Sequence, residues 1–350
     1  MSNGSAHTGP LSKVLILGTG GTIAGRIPEG NGSSTVSIED LVDAIPTLPK
    51  VADCTLEQVV MLPSSAMTTE VGLQLVKRVN EAFAADSELA GIVITHGTDT
   101  LEETAFLLEC TINDPRPVVI AASMRLAFSV SADGPANMLQ AVTLAASPSA
   151  RDRGILIVLN DRINSAYYTV KTNPRALETF QAPEAGYLGC FERDNRPRFW
   201  YAPSAPTGRR HFDVSNISKL PTVAILYAYQ DMPLALLDAT LETLKPKGLV
   251  IACEGNGQLD PSWLETLVKL HEPNAAGEQD STQPATSSSA PGTVAVVRST
   301  RTTAGTVSAV PWPLPFSAGS LNPPKAKIFL QLLLAQGVGL REIRKAMELA

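Results

Sequence analysis

The sequence predicts an α/β protein, with a doubly wound, mostly parallel sheet in an N-terminal domain and a second, smaller α/β domain behind it. Three observations predict this. Five apolar runs alternate with segments of helical periodicity: Val14 to Gly18, Val59 to Leu62, Ile92 to His96, Val118 to Ala122 and Ile155 to Leu159. These runs lack strict apolar–polar alternation, as strands buried on both faces of a parallel sheet do. The 350 residues also exceed what one hydrophobic core usually organises.

Taken in order, residues 1–11 are polar and are expected to form a flexible N-terminus, followed by an N-terminal domain over 12–200. Between its strands, Leu73, Val76, Val79 and Phe83 recur at helical spacing, as do Leu101, Ala105, Leu108 and Ile112. The second of these helices opens with Thr100-Leu101-Glu102-Glu103, a capping-box pattern. That places His96-Gly97-Thr98-Asp99 at a helix N-terminus, where backbone N–H groups meet an anion. From Asn195 to Thr207 the chain carries Pro197, Pro203 and Pro206 without periodicity, so a connector is expected, drawn at 201–220.

The C-terminal domain, 221–350, offers three short parallel strands: Val223 to Tyr229, Leu249 to Cys253 and Val294 to Arg298. Helical runs lie around Leu234 to Leu244 and Trp263 to Leu270. Residues 273–292, rich in Ser, Thr, Ala, Gln and Pro, read as a flexible low-complexity loop without function. An apolar helix from Ala326 to Ala335 and a polar one from Leu340 close the chain.

Composition narrows the function classes. The net charge of −6 and the lack of Lys/Arg blocks argue against nucleic-acid binding. No run of about 18 apolar residues is present to cross a membrane. The four cysteines, Cys54, Cys110, Cys190 and Cys253, are widely spaced without C-x-x-C, so buried thiols are expected and no metal or cofactor. Without an apolar leader the protein is expected in the cytoplasm, or secreted if a signal peptide has been removed.

Two strand ends carry the candidate chemistry. Gly18-Thr19-Gly20-Gly21-Thr22-Ile23 departs from G-x-G-x-x-G at Ile23, although Asp43, about 20 residues on, keeps a nicotinamide site as an alternative. Thr22 reads either as a cap or as a reactive hydroxyl approached over Gly20 and Gly21. Thr98 and Asp99 repeat the arrangement on another strand. With no Ser-His-Asp spacing and no metal site, a threonine used as nucleophile would need a lysine to take its proton. Lys171, in Val170-Lys171-Thr172-Asn173, is the candidate; on spacing alone it reads equally as a solvated loop residue.

These residues carry a resemblance. The chain resembles the bacterial-type L-asparaginases of the asparaginase/glutaminase family, over nearly its whole length. Thr19 to Gly25 and His96 to Thr104 are similar to the family's two signature segments. Ser131-Ala132-Asp133-Gly134-Pro135, Lys171-Thr172-Asn173 and Gly255-Asn256-Gly257 follow in family order.

The resemblance implies hydrolysis of L-asparagine to L-aspartate and ammonia by acyl transfer to a threonine, without metal or cofactor, with a glutaminase-asparaginase that also takes L-glutamine as the alternative. It implies Thr22, Thr98, Asp99 and Lys171 as catalytic residues, with the order in which the threonines act left open. It implies Gly21, Ser64, Ser65, Gly97, Ser123 and Asn256 as substrate-binding, Ser64 holding the α-carboxylate, Asp99 also facing the α-amino group and Asn256 reaching across an intimate dimer. A homotetramer, a dimer of such dimers, is implied as well. Peptide N–H groups near Gly21 and Thr98 suit a developing oxyanion.

The chain departs from the family in its lid, which lacks tyrosine from Arg26 to Ser37, and in having no acidic residue between Arg301 and Asn322. Ser65 stands where glutamine is common, and Ser123 and Leu126 replace the usual alanine-turn and proline residues. Glu254 reads either as a replacement for the missing carboxylate or as a solvated loop acid. The alternative functional reading is a weakened homologue that binds amino acids with little turnover.

Overall fold

The structure, a computed structural model, describes residues 10–21, 23, 25–26, 34–35, 37–203, 210–271, 294–311 and 313–350. Thr22, most of the lid, most of the N-terminal segment and the whole of 273–292 lie outside the described residues. The chain divides into two compact units, Met1–Thr68 with Leu75–Ala105 and Ile112–Pro203, and Thr69–Gln74 with Phe106–Thr111 and Ser204–Ala350.

The chain first forms β1 (Lys13–Gly20), β2 (Gly25–Arg26), β3 (Ser34–Thr35), α1 (Ile38–Asp43), β4 (Asp53–Leu62), α2 (Thr69–Ala85), β5 (Leu89–Thr95) and α3 (Leu101–Thr111). It continues with β6 (Val118–Ala121), α4 (Gly134–Ala145), β7 (Ile155–Leu159), β8 (Arg162–Ser165), β9 (Val170–Lys171), β10 (Phe180–Gln181), β11 (Gly189–Phe191) and β12 (Pro197–Phe199). The eight-stranded sheet has the order β12-β11-β8-β7-β6-β5-β1-β4. Strands β4, β1, β5, β6 and β7 are parallel.

β1 shows why the apolar runs do not alternate. Val14 and Ile16 join a core with Ile38, Met138, Ala141 and Val142 on one face, while Leu15 and Leu17 are buried as well. From β1 the chain moves outward to β4, then returns to the other side of β1 for β5. Strand order therefore reverses at β1, and the loops after β1 and β5 leave in opposite directions at the sheet's carboxyl edge, the place where open α/β sheets bind ligands.

Beyond β7 the sheet turns antiparallel, which the sequence reading did not anticipate. Asn160 and Asp161 make the β7–β8 turn with φ of 51° and 61°, the left-handed pair of a two-residue hairpin. Pro197–Phe199, read as part of the connector, is instead the edge strand, where a proline is tolerated. Residues 210–220, also read as connector, bury Phe212, Val214 and Leu220, and Phe212 meets Phe329 edge to face at 5.5 Å.

The second unit contains β13 (Val223–Tyr227), α5 (Ala235–Leu244), β14 (Gly248–Cys253), α6 (Pro261–His271), β15 (Ala295–Thr300), β16 (Phe316–Ser317), α7 (Pro323–Ala335) and α8 (Leu340–Glu348). Its four strands are parallel in the order β13-β14-β15-β16; the fourth is too short to leave a pattern in the sequence. Leu237, Leu249, Ile251, Trp263, Leu267 and Val296 form one core face. α7 starts where Asn322 accepts from the Lys325 N–H and Pro323 supplies the first helical φ. Among the described residues no helix is long and apolar enough to cross a membrane.

Candidate active site

The loop after β5 carries a dense polar cluster. His96 follows directly on the strand with its N–H on the Ala121 carbonyl at 2.9 Å, and its ring is wholly buried. Nδ1 lies 2.6 Å from the Gly97 carbonyl. A carbonyl only accepts, so Nδ1 bears the proton, and Nε2 accepts from the Thr104 hydroxyl at 2.9 Å. Burial lowers the His96 pKa to about 4, against the opposing pull of the Gly97 carbonyl, so the ring is a neutral brace at neutral pH.

Ser64 braces the same loop from the other side. Its hydroxyl accepts from the Asp99 N–H at 3.0 Å, and its carbonyl accepts from the Thr100 hydroxyl at 2.7 Å. Accepting leaves the Ser64 O–H able to donate to a further oxygen. Ser65, next in the same turn, is exposed.

Lys171 does not behave as a solvated loop lysine. It sits on β9, paired with Phe180 of β10, and its side chain is only 17% exposed. Nζ donates to Thr98 Oγ1 at 2.9 Å and to Asp99 Oδ1 at 2.8 Å. Its backbone N–H donates to Glu102 Oε2 at 2.5 Å. The Thr172 hydroxyl bonds the Thr179 carbonyl at 2.9 Å, and the Asn173 side chain accepts from Arg175 and Ala176 N–H groups at 2.8 Å. The Lys171-Thr172-Asn173 motif is thus a hairpin that presents the lysine.

Gly21 and Gly97 bring the ends of β1 and β5 together. A Cβ on Gly21 would lie 2.3 Å from Gly97 Cα, and Gly21 has φ of +84°. A Cβ on Gly97 would lie 2.6 Å from Ser64 Oγ. Only glycine at both positions lets the two backbones touch. Gly21's own N–H is taken by the Leu62 carbonyl at 3.0 Å, so an oxyanion donor near it must come from another peptide group. Thr22 itself lies outside the described residues. Ile23, which follows it, is buried, with Cγ1 3.2 Å from where a Gly134 Cβ would be.

The turn after β6 is fixed by Asp133. Its carboxylate accepts from Met124 N–H and Arg125 N–H at 2.9 Å each, and from Asn137 Nδ2 at 3.0 Å. Ser123 is fully buried and donates to the Arg125 carbonyl at 2.8 Å. The structure therefore brings Thr98, Asp99, Lys171, Ser64, Gly21 and Gly97 into one cluster, with Ser123 in a neighbouring turn that is itself hydrogen-bonded inward.

Asn256 belongs to the second unit. It exchanges two hydrogen bonds with Ser308, Nδ2 to Oγ at 2.9 Å and Oδ1 from N at 2.7 Å. Arg298, almost fully buried, holds this loop through the carbonyls of Gly257 at 2.7 Å, Pro315 at 3.1 Å and Ser308 at 3.3 Å. Glu254 is 43% exposed, with Oε1 3.6 Å from Arg301 Nη1. Among the described residues no group of three or more His, Cys, Asp or Glu lies together as a metal would require.

Sequence reasoning missed His96, Thr104, Glu102 and Asp133 as supports of this cluster. In the sequence Asp133 stands in a motif that follows in family order, with no role of its own. Glu102 stands in the capping pattern, while its carboxylate accepts from a backbone N–H 69 residues away.

A family model described as "Asparaginase, N-terminal" matches residues 13–204, and one described as "Glutaminase/Asparaginase C-terminal domain" matches residues 222–347. L-asparaginase 2-3 of Saccharomyces cerevisiae is 40% identical over 345 residues, covering 95% of this chain and 89% of the relative. L-asparaginase 2 of Bacillus subtilis is 38% identical over 346 residues, covering 93% of this chain and 83% of the relative. The crystal structure of a probable cytoplasmic L-asparaginase from Campylobacter jejuni superposes with a TM-score of 0.85 at 34% identity, over 97% of this chain and all of the other. With both domains matched along most of its length, the chain belongs to the asparaginase/glutaminase family.

Proposed function

We propose that this protein hydrolyses the side-chain amide of L-asparagine to L-aspartate and ammonia through a threonine ester. The observation that carries the reading is the Lys171 amine hydrogen-bonded to both the Thr98 hydroxyl and the Asp99 carboxylate. An amine so placed passes a proton to the carboxylate and then accepts one from the hydroxyl, which is the activation a threonine needs where no histidine base serves it. Thr22 is assigned as nucleophile by its place in the family signature. The contact of the preceding Gly21 with Gly97 supports that assignment.

In the first half-reaction a threonine oxygen bonds the amide carbon and ammonia leaves with a proton delivered from the lysine side. In the second, water adds to the ester carbon, gives its proton back through the same group, and the threonine hydroxyl is restored. The Ser64 O–H and the Asp99 carboxylate are suited to an α-carboxylate and an α-ammonium, and Gly97 lets this loop close against Gly21 and Ser64. Ser65 and Ser123 complete the proposed pocket wall, and Asn256 is proposed to act from a neighbouring copy in a homotetramer. We assign the protein to the cytoplasm and place the domain division in 201–220.

The test is ammonia release by the purified protein with L-asparagine and L-glutamine over a range of concentrations, beside Thr22→Ala. Turnover of asparagine that Thr22→Ala reduces by several orders of magnitude supports the reading. Aspartate binding without ammonia release would favour the weakened binding homologue instead. Discrimination against glutamine is expected to be modest on pocket size alone, since one methylene is worth about 1–3 kcal/mol.

A further inference from the structure

We infer that Glu102 is the positioning residue for Lys171, an inference that rests on the reading of Lys171 as catalytic. Lysine has four side-chain torsions, so placing its amine depends on where its backbone is fixed. In this protein the Lys171 backbone N–H donates to Glu102 Oε2 at 2.5 Å, across 69 residues of chain. A hydrogen bond to an ionised acceptor is roughly twice as strong as a neutral one.

Glu102 is in the first turn of α3, yet it is only 8% exposed. An acidic residue there solely to complement the helix dipole is better left in water, because burying a carboxylate is costly unless it is well bonded. Its position closes a short circuit. The chain runs from Thr98 through Asp99, Thr100 and Leu101 to Glu102; the carboxylate then holds the Lys171 backbone, and the lysine side chain returns to Thr98 and Asp99. One helix start therefore sets the spacing between the amine and both of its partners. Asp99 itself is held independently, by its N–H on Ser64.

This arrangement separates kcat from KM. Removing the carboxylate displaces Lys171 from Thr98 while Ser64 and the Asp99 backbone stay in place. The experiment compares Glu102→Ala, Glu102→Gln and Lys171→Met by steady-state ammonia release, with circular dichroism to establish folding. Glu102→Ala is expected to lower kcat by about 10- to 100-fold, the scale of an ångström of misplacement, with KM changed by less than about threefold. Glu102→Gln keeps an oxygen that accepts the same N–H and is expected to stay within about fivefold of wild-type kcat.

Wild-type kcat in folded Glu102→Ala, or a loss in Glu102→Gln as large as in Glu102→Ala, would overturn the inference. If Glu102→Ala does not fold, Glu102→Gln decides: within fivefold supports the role, and a hundredfold loss removes it. An inactive Lys171→Met beside a fully active Glu102→Ala rejects only the positioning role, whereas an active Lys171→Met rejects the catalytic reading of Lys171 and this inference with it.

Discussion

His96 lies wholly out of water between the Gly97 carbonyl and the Thr104 hydroxyl, and burial holds its pKa near 4 against 6.5 for a free imidazole. The unfolded chain binds a proton below pH 6.5 and the folded chain does not until about pH 4, so the stability this group contributes is present above 6.5 and is lost as pH falls through that window. The loss amounts to about 3 kcal/mol at most, at 1.36 kcal/mol per unit. Urea denaturation of wild type and His96→Asn at pH 7.5, 5.5 and 4.5 measures it. The variant keeps a donor for Gly97 without a titrating ring, so the stability gap between the two proteins is expected to narrow on acidification; a constant gap would contradict a neutral buried imidazole. Gly21→Ala offers a second residue-level check, because its methyl would meet Gly97 backbone at 2.3 Å. Its turnover is expected to fall at least about 100-fold, by the same displacement argument, in an ammonia assay. Thr98 and Asp99 were legible in the sequence because they follow an apolar strand directly. Glu102 and His96 were not, because what defines them is a partner brought in by the fold rather than a neighbour in the chain.

At the level of elements, the site exists because β1 and β5 end side by side at the strand-order reversal and their loops touch through two glycines. The turn after β6 depends on one carboxylate. Asp133→Ala would leave the N–H groups of Met124 and Arg125 without that acceptor. A loss of about 1–3 kcal/mol is expected in chemical denaturation, chiefly the cost of stranding the partly buried Met124 donor, since the Arg125 N–H is exposed and can turn to water; a loss under 0.5 kcal/mol would contradict the clamp. The buried strands β1, β5, β6, β7 and β14 were readable because both faces are apolar. β4 was caught only at its end, since its half-exposed residues from Asp53 to Gln58 mix charge with apolar side chains. β8 escaped for the opposite reason, its Asn164 and Ser165 being polar yet buried. The Asn160-Asp161 pair was the local signal that a hairpin follows β7.

On the scale of the whole molecule, the α/β class, the mostly parallel first sheet and the parallel second one followed from composition, length and run pattern, whereas the antiparallel extension did not. The four cysteines are all free thiols. Burial raises the Cys253 pKa to about 12, and Cys110 is fully buried. Neither is expected to react with a thiol reagent at pH 8 in the native protein, and both are expected to react once it is unfolded; mass spectrometry of the labelled peptides reads the difference, and native labelling of Cys253 would contradict the packing of the second unit's core. Surface charge contributes little to stability at the site itself, because Asp99 is 66% exposed and such an ion pair is worth about 0–1 kcal/mol. Stability alone therefore gives little reason for the Lys171–Asp99 pair, in keeping with the proton transfer proposed for it. The most direct measurement is ammonia release from L-asparagine by Lys171→Met, with its urea midpoint measured in parallel. The account predicts a fall in kcat of at least about 1,000-fold with stability changed by less than about 1 kcal/mol; a folded Lys171→Met that turns over asparagine at the wild-type rate would contradict it.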